Sequence, residues 1–192
     1  MKLTVRPLTP DLWPEFADLF GKHGACNGCW CMYWRIGGQY SRRPREKNRT
    51  AFRKIVKEGP PPGLLAFDGD KAVGWCQLTP RLSVPWLDVA KRTRPVDDVP
   101  VWSLSCFYVR RGYRRMGVAR ALIKAALAAA KRAKAAALEA YPYDADRHFM
   151  GSPSMFSEAG FKTVARRGPK KSVMRHDLKG IRARSIISDR AL

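Results

Sequence analysis

A chain of 192 residues with 45% apolar and 10% aromatic residues has the length for one domain with its own core and too much apolar surface to stay disordered. Its longest apolar stretch, residues 125–130 with 133–138, is cut by Lys131, Arg132 and Lys134, which excludes a membrane span there. The 37 Lys and Arg against 16 Asp and Glu leave a formal charge of +21, so a polyanion is an expected partner: nucleic acid, an acidic surface or a phosphate-rich small molecule.

The positive charge is concentrated in residues 41–58, 110–134 and 160–192. The start, MKLTVRPLTPDLWPEF, lacks the apolar run of a signal peptide, so a cytoplasmic location is expected. The five cysteines are odd in number and three fall within Cys26-Asn27-Gly28-Cys29-Trp30-Cys31; without an export signal a disulfide framework is not expected.

Along the chain, residues 2–6 alternate like a short strand. Thr9-Pro10-Asp11 opens a helix, in which Leu12, Phe16, Leu19 and Phe20 keep helical spacing until Gly21 or Gly24. Residues 26–34 are compact and aromatic. Residues 48–57 read as a basic amphipathic helix with Phe52, Ile55 and Val56 on one side, stopped by Gly59-Pro60-Pro61-Pro62-Gly63. Residues 64–67 and 72–78 form a hairpin around Asp68-Gly69-Asp70. Residues 79–100 carry four prolines and read as a loop with at most a short helical piece.

Residues 101–109, VWSLSCFYV, make the clearest strand. An Ala-rich helix over 118–134 and a second apolar strand over 136–141 complete a βαβ unit. A short helix at 152–159 and strands at 161–166 and 172–178 close the order β-α-α-β-β-β-α-β-α-β-β. This is an α/β chain with one sheet and helices on both faces. One domain is expected over residues 1–178, followed by a basic tail, 179–192, that Ile186 and Ile187 could anchor.

The most informative segment is Val109-Arg110-Arg111-Gly112-Tyr113-Arg114-Arg115-Met116-Gly117-Val118-Ala119-Arg120. A strand runs into a basic turn and a helix starts near Gly117, where unpaired N–H groups and the helix dipole favour an anion. Gly117 and Ala119 are small enough for a phosphate to approach the backbone. No Gly-Lys-Ser/Thr follows, so this is not a P-loop, and a dinucleotide fingerprint would need a third glycine and a later acidic residue.

Arg114-Arg115-Met116-Gly117-Val118-Ala119 resembles the Arg/Gln-x-x-Gly-x-Gly/Ala signature of the GNAT N-acetyltransferases. Met155-Phe156-Ser157-Glu158-Ala159-Gly160-Phe161 is similar to that family's helix-Gly-Phe-strand segment, and the element order fits from Leu3 to about Leu178. The resemblance implies a single mixed, mostly antiparallel central sheet and acetyl-CoA as donor. It places the pyrophosphate on the N–H groups of Arg115, Met116, Gly117, Val118 and Ala119, with Arg114 and Arg120 beside it. The pantetheine arm would pair like an added strand along Phe107, Tyr108 and Val109. The reaction implied is direct acetyl transfer to an amine, on a small molecule or a peptide, with a homodimer possible.

Many members of the family use a glutamate on the strand before the phosphate turn and a tyrosine on the helix before Gly-Phe. Those positions fall on Ser103 and Phe156 here. Substitutes are Glu139, the only acid between Asp98 and Asp144, as base, and Tyr141, which shares its strand parity, as the acid for the leaving thiolate, with Tyr143 as second choice. An isolated carboxylate in an apolar strand needs a reason. Cys106 could carry an acyl group, though an inert thiol is the plainer reading, and His148 could be a base in the loop after the strand.

His23, Cys26, Cys29 and Cys31 could form a small zinc site, but one short loop seldom supplies four ligands, and packing of the thiols with the aromatics is expected instead of a metal. This segment joins the first two helices, where the resemblance puts the acceptor; Trp30, Tyr33 and Trp34, with Met32, would wall an aromatic or cationic amine. The other readings are a non-catalytic acyl-CoA or nucleic-acid binding module and a zinc-dependent regulator built on residues 26–31.

Overall fold

Seven strands form one sheet: β1 (Leu3–Pro7), β2 (Gly63–Asp68), β3 (Lys71–Pro80), β4 (Trp102–Val109), β5 (Ala137–Ala140), β6 (Lys162–Arg166) and β7 (Ser172–Asp177). Their order is β1-β2-β3-β4-β5-β7-β6, and β4–β5 is the parallel pair among antiparallel neighbours. The computed structural model describes residues 2–144 and 149–178; His148 and the expected tail at 179–192 lie outside the described residues. The helices are α1 (Trp13–Phe20), α2 (Tyr33–Ile36), α3 (Arg45–Glu58), α4 (Trp86–Val89), α5 (Val118–Arg132) and α6 (Pro153–Glu158). Among the described residues no helix is long and apolar enough to cross a membrane.

Helices cover both faces because both faces of the central strands are apolar. On one side Leu122, Ile123, Ala126 and Ala130 of α5 pack on Ala66, Val73, Leu78 and Leu104. On the other, Phe16, Phe20, Phe52 and Val56 from α1 and α3 pack on Leu65, Phe67 and Trp75. The two sets interleave along each strand, as a sheet buried on both sides requires.

The ladders depart from simple alternation at bulges in β3, at Val73, in β4, and in β6, at Val164. In β4 the register passes from Leu104 opposite Leu78 to Cys106 opposite Gln77, which leaves Ser105 as a bulge. The extra residue changes the phase, so Leu104 and Phe107 share the α5 face while Cys106 and Tyr108 turn to the opposite one. Helix α3 starts at Arg45 rather than at 48. Asn48 is fully buried within it, and its amide donates to the carbonyls of Gly28 and Tyr40, each at 2.8 Å. It thus ties the Cys-rich turn down.

Helix α5 approaches the sheet most closely at Gly74, where an added Cβ would stand 2.4 Å from Cγ1 of Val118. A β-branched side chain at a helix start has little room to turn. Gly74→Ala is therefore expected to cost about 1–3 kcal/mol by overpacking, read as a lower denaturant midpoint at unchanged slope.

Candidate active site

β4 runs into a basic turn. A short 3-10 turn, Arg111–Tyr113, precedes Arg114, whose Nε donates to the Val109 carbonyl at 3.3 Å. Arg115 and Gly117 both have left-handed backbone, φ 63° and 80°. Gly117 caps α5 without a side-chain hydrogen bond, and nothing lies within 4 Å of where its Cβ would stand. No side chain caps the first N–H groups of this 15-residue helix, and Arg115 makes no ion pair among the described residues. This cradle fits a phosphate. Arg120 departs from the expected role: its guanidinium is engaged by Glu158 of α6 at 2.8 and 3.3 Å, which leaves only its backbone to face the turn.

The edge of β4 comes next. Pairing with β5 covers Trp102, Ser103 and Leu104 against Leu138, Glu139 and Ala140; beyond that β5 ends while β4 continues to Val109, so the strands part. Arg110 N–H donates to Val73 on β3, so by the alternation of an antiparallel ladder Tyr108 faces β3 as well, and Phe107 and Val109 face the gap. Tyr108 is thus corrected: its backbone belongs to the β3 ladder, and its side chain lines a cavity on the far face. In this structure the Phe107 N–H donates to the Phe149 carbonyl at 2.6 Å, so a strand-like ligand would exchange with that bond.

Ser103, Glu139 and Tyr141 do come together. Tyr141 donates to Glu139 Oε2 at 3.1 Å and lies 3.1 Å from the Ser103 hydroxyl. Two arginines absent from the sequence-level reading complete the group. Arg81 donates from Nη1 to Tyr141 at 2.8 Å and to Glu139 at 3.3 Å. Its other nitrogens hold Asp88 and the carbonyls of Leu87 and Thr93. Arg175 on β7 contacts Glu139 Oε1 at 2.7 Å and grips Asp97 with two bonds of 2.7 and 2.8 Å.

Glu139 is 1% exposed and both its oxygens accept from arginine. Burial and the Glu139 charge raise the Tyr141 pKa, and the space Tyr141 borders is about 10 Å³, room for one water. The expectation of Glu139 as an accessible base is therefore corrected: it is the centre of an ion-pair network that pins residues 79–100 to β5 and β7. Phe156 is part of the core, 6.0 Å from Phe107 and 5.2 Å from Phe161 between ring centres.

Burial opposes the charge on Arg175, but Asp97 and Glu139 outweigh it and its pKa rises. The hydrogen bonds from Arg175 in turn hold Asp97 below the usual carboxylate range. A group depressed in the folded state contributes stability above its unfolded pKa, about 3.9 for Asp, and loses it as pH falls through the folded value. The melting temperature should accordingly fall on acidification below about pH 4, and Asp97→Asn should flatten that limb while lowering the plateau at neutral pH.

A cavity of about 180 Å³ opens beside the parted strands, on the face opposite α5. Tyr33 and Trp34 line it, with Cys106 and Tyr108 of β4 and Gln77 of β3. Trp30 is the correction here: it is as buried as Trp34 but does not line the cavity, and it packs between Trp13 and Phe20, at 6.2 and 5.7 Å, in the α1–α3 core. Left-handed backbone at Trp30 and Cys31 turns Trp30 and the Tyr33–Trp34 pair in different directions, which residue spacing does not report. Cys26, Cys29 and Cys31 also reach the cavity. Cys31 Sγ accepts from Trp75 Nε1 at 2.9 Å, burial pushes the Cys29 thiol up to about 12, and burial raises the Cys31 thiol as well, so these two sulfurs stay protonated at neutral pH. Among the described residues no group of three His, Cys, Asp or Glu is placed to hold a metal ion.

Gln77 and Arg92 were the residues missed. Gln77 is the one polar side chain in the apolar run of β3, a signal the sequence did carry; Arg92 lies in the proline-rich segment, where nothing marked it.

The uncapped helix start behind a left-handed glycine, the bulged strand before it and the parted parallel pair define a cofactor-dependent group-transfer fold. The model of the Acetyltransferase (GNAT) family matches residues 27–152, well over half of the chain, and the chain belongs to that family. No curated protein sequence matches it. Solved structures share the fold. The histone acetyltransferase HPA2 and related acetyltransferase from Corynebacterium glutamicum is 21% identical, with TM-score 0.56 over 91% of this chain and 96% of that one. The PaiA N-acetyltransferase from Thermoplasma acidophilum in complex with coenzyme A is 15% identical, with TM-score 0.54 over 92% and 99%. The mosquito arylalkylamine N-acetyltransferase like 5b is 10% identical, with TM-score 0.58 over 92% and 100%.

Proposed function

We propose that this acetyltransferase moves the acetyl group of acetyl-CoA directly to the primary amine of a small acceptor. The observation that carries the reading is the opening between β4 and β5, which has a phosphate cradle at one end, at residues 114–119, and an aromatic cavity on its far side. The donor supplies an acetyl thioester. Residues 115–119 hold its pyrophosphate through backbone N–H groups, and Phe107 and Val109 offer their edge to its arm once the Phe149 carbonyl is released.

The chain's contribution to the chemistry is positioning and environment. Cavity walls of Tyr33, Trp34 and Tyr108 exclude water. Burial beside a guanidinium disfavours a protonated amine, so the acceptor arrives with its lone pair free. Ser103, Glu139 and Tyr141, held by Arg81 and Arg175, fix the strands around the opening. The exposed Arg45, Lys47, Arg49, Arg53, Lys54 and Lys57 of α3 supply a field that steers the polyanionic donor.

The test is titration of acetyl-CoA into the protein, followed by release of free thiol with a panel of amines. Micromolar binding with turnover of at least one amine is the expected result. A second reading, a non-catalytic acyl-CoA binding module, draws on the absence of any carboxylate from the described cavity lining; binding without turnover of any amine would establish it.

A further inference from the structure

The cavity beside β4 contains a polar group that has no partner. Gln77 is fully buried, lines the cavity, and neither Oε1 nor Nε2 has a hydrogen-bond partner among the described residues. Leaving a buried amide unsatisfied costs about 1–3 kcal/mol, and its strand neighbours Cys76 and Leu78 are buried apolar residues. An orphan amide opposite Cys106, at the bulge of β4, points to a ligand that completes it.

Arg92 supplies a second, independent observation. Its guanidinium lies 5.3 Å from the Trp34 ring centre, one nitrogen reaches Tyr33 only at 3.4 Å, and Nε is buried with no partner. The buried arginines, Arg81 and Arg175, each hold carboxylates, whereas the half-buried Arg92 has none among the described residues, and the described lining contains no Asp or Glu. A cavity whose described lining has a cation and no acid repels a dicationic or polycationic amine and attracts a carboxylate, for which the guanidinium fork is shaped. Its volume of about 180 Å³ is below the roughly 300–1,000 Å³ of drug-sized sites, so the occupant is small.

Resting on the acetyl-transfer reading above, we propose that the acceptor is a small amine that also carries a carboxylate, an α-amino acid with an apolar side chain or a molecule of that shape. Its carboxylate sits on Arg92, its apolar body against Tyr33, Trp34 and Tyr108, and its amino end against Gln77. In the transfer, the amine nitrogen forms the bond to the acetyl carbon, the carbon–sulfur bond breaks, and the proton lost by the amine leaves with coenzyme A as its thiol.

The test compares matched pairs differing only in the carboxylate: phenylalanine with phenethylamine, and leucine with isopentylamine. Each is titrated calorimetrically into the full chain with CoA present, and acetylation is followed by thiol release. The amino acids are expected to bind and to be acetylated with kcat/KM at least about tenfold above their amines. Arg92→Gln should bring each pair within about threefold with acetyl-CoA affinity and melting temperature unchanged. Gln77→Leu should raise the amino-acid KM about tenfold while the melting temperature holds or rises, which a purely structural glutamine would not allow. Equal use of the pair, preference for the bare amine, no binding of either amino acid, or binding without thiol release would each overturn the acceptor assignment while acetyl-CoA still binds. Loss of acetyl-CoA binding by the native protein would instead overturn the transferase reading, and the acceptor assignment with it.

Discussion

Gly117→Glu should abolish micromolar acetyl-CoA binding while leaving the protein folded. The position has φ 80° and open space on its side-chain face, so glutamate meets no atom there. A side chain in left-handed backbone costs about 1–2 kcal/mol, and a carboxylate at a helix N-terminus returns about 0.3–1 kcal/mol through the dipole, so the melting temperature should move by only a few degrees, or about 1 kcal/mol. Binding is another matter. The new charge lies where the pyrophosphate would sit, and like charges in contact cost several kcal/mol, enough for a loss of at least about a hundredfold in affinity. Calorimetry on both proteins reads this directly. Unchanged affinity would remove the cofactor from residues 114–119.

Glu139→Gln should do the reverse, with a large loss of stability and a small loss of chemistry. Glu139 neutralises Arg81 and Arg175 inside the sheet, and removing one partner of a buried pair costs about 3–5 kcal/mol. For a chain of this size that is a fall of roughly 6–20 °C in melting temperature. If Glu139 were the base, kcat would fall by about 10²–10⁴ with an altered pH profile. Because it anchors the segment that carries Arg92, the expected kinetic change is a raised acceptor KM with the kcat pH profile in place. A normal melting temperature with lost kcat would restore the base.

The two variants separate what local sequence encodes from what folding assembles. The phosphate turn was legible because it is local: strand, small residues and helix start follow one another within a dozen positions. The helix–strand order was legible for the same reason, since periods of two and near four are set by neighbours along the chain. Glu139 was singled out correctly as a carboxylate in need of a reason. The reason itself lay 58 residues away in Arg81 and 36 residues away in Arg175, distances at which no spacing rule operates.

The aromatic wall shows the same limit at short range. Trp30, Tyr33 and Trp34 are neighbours in sequence, yet left-handed residues at 30 and 31 send Trp30 into the core and leave the other two on the cavity. Strand parity failed at Ser105, where one bulged residue exchanged the faces of Cys106, Phe107 and Tyr108. Sequence by itself determined the acetyltransferase frame and pointed to the basic turn at residues 114–119 as the proposed anion site, because those depend on hydrogen bonds and charges between near neighbours. Only the tertiary structure decided that Glu139 is ion-paired with Arg81 and Arg175, and that among the described residues Gln77 has no hydrogen-bond partner and Arg92 no carboxylate, because burial and pairing depend on which distant segments the folded chain brings into contact.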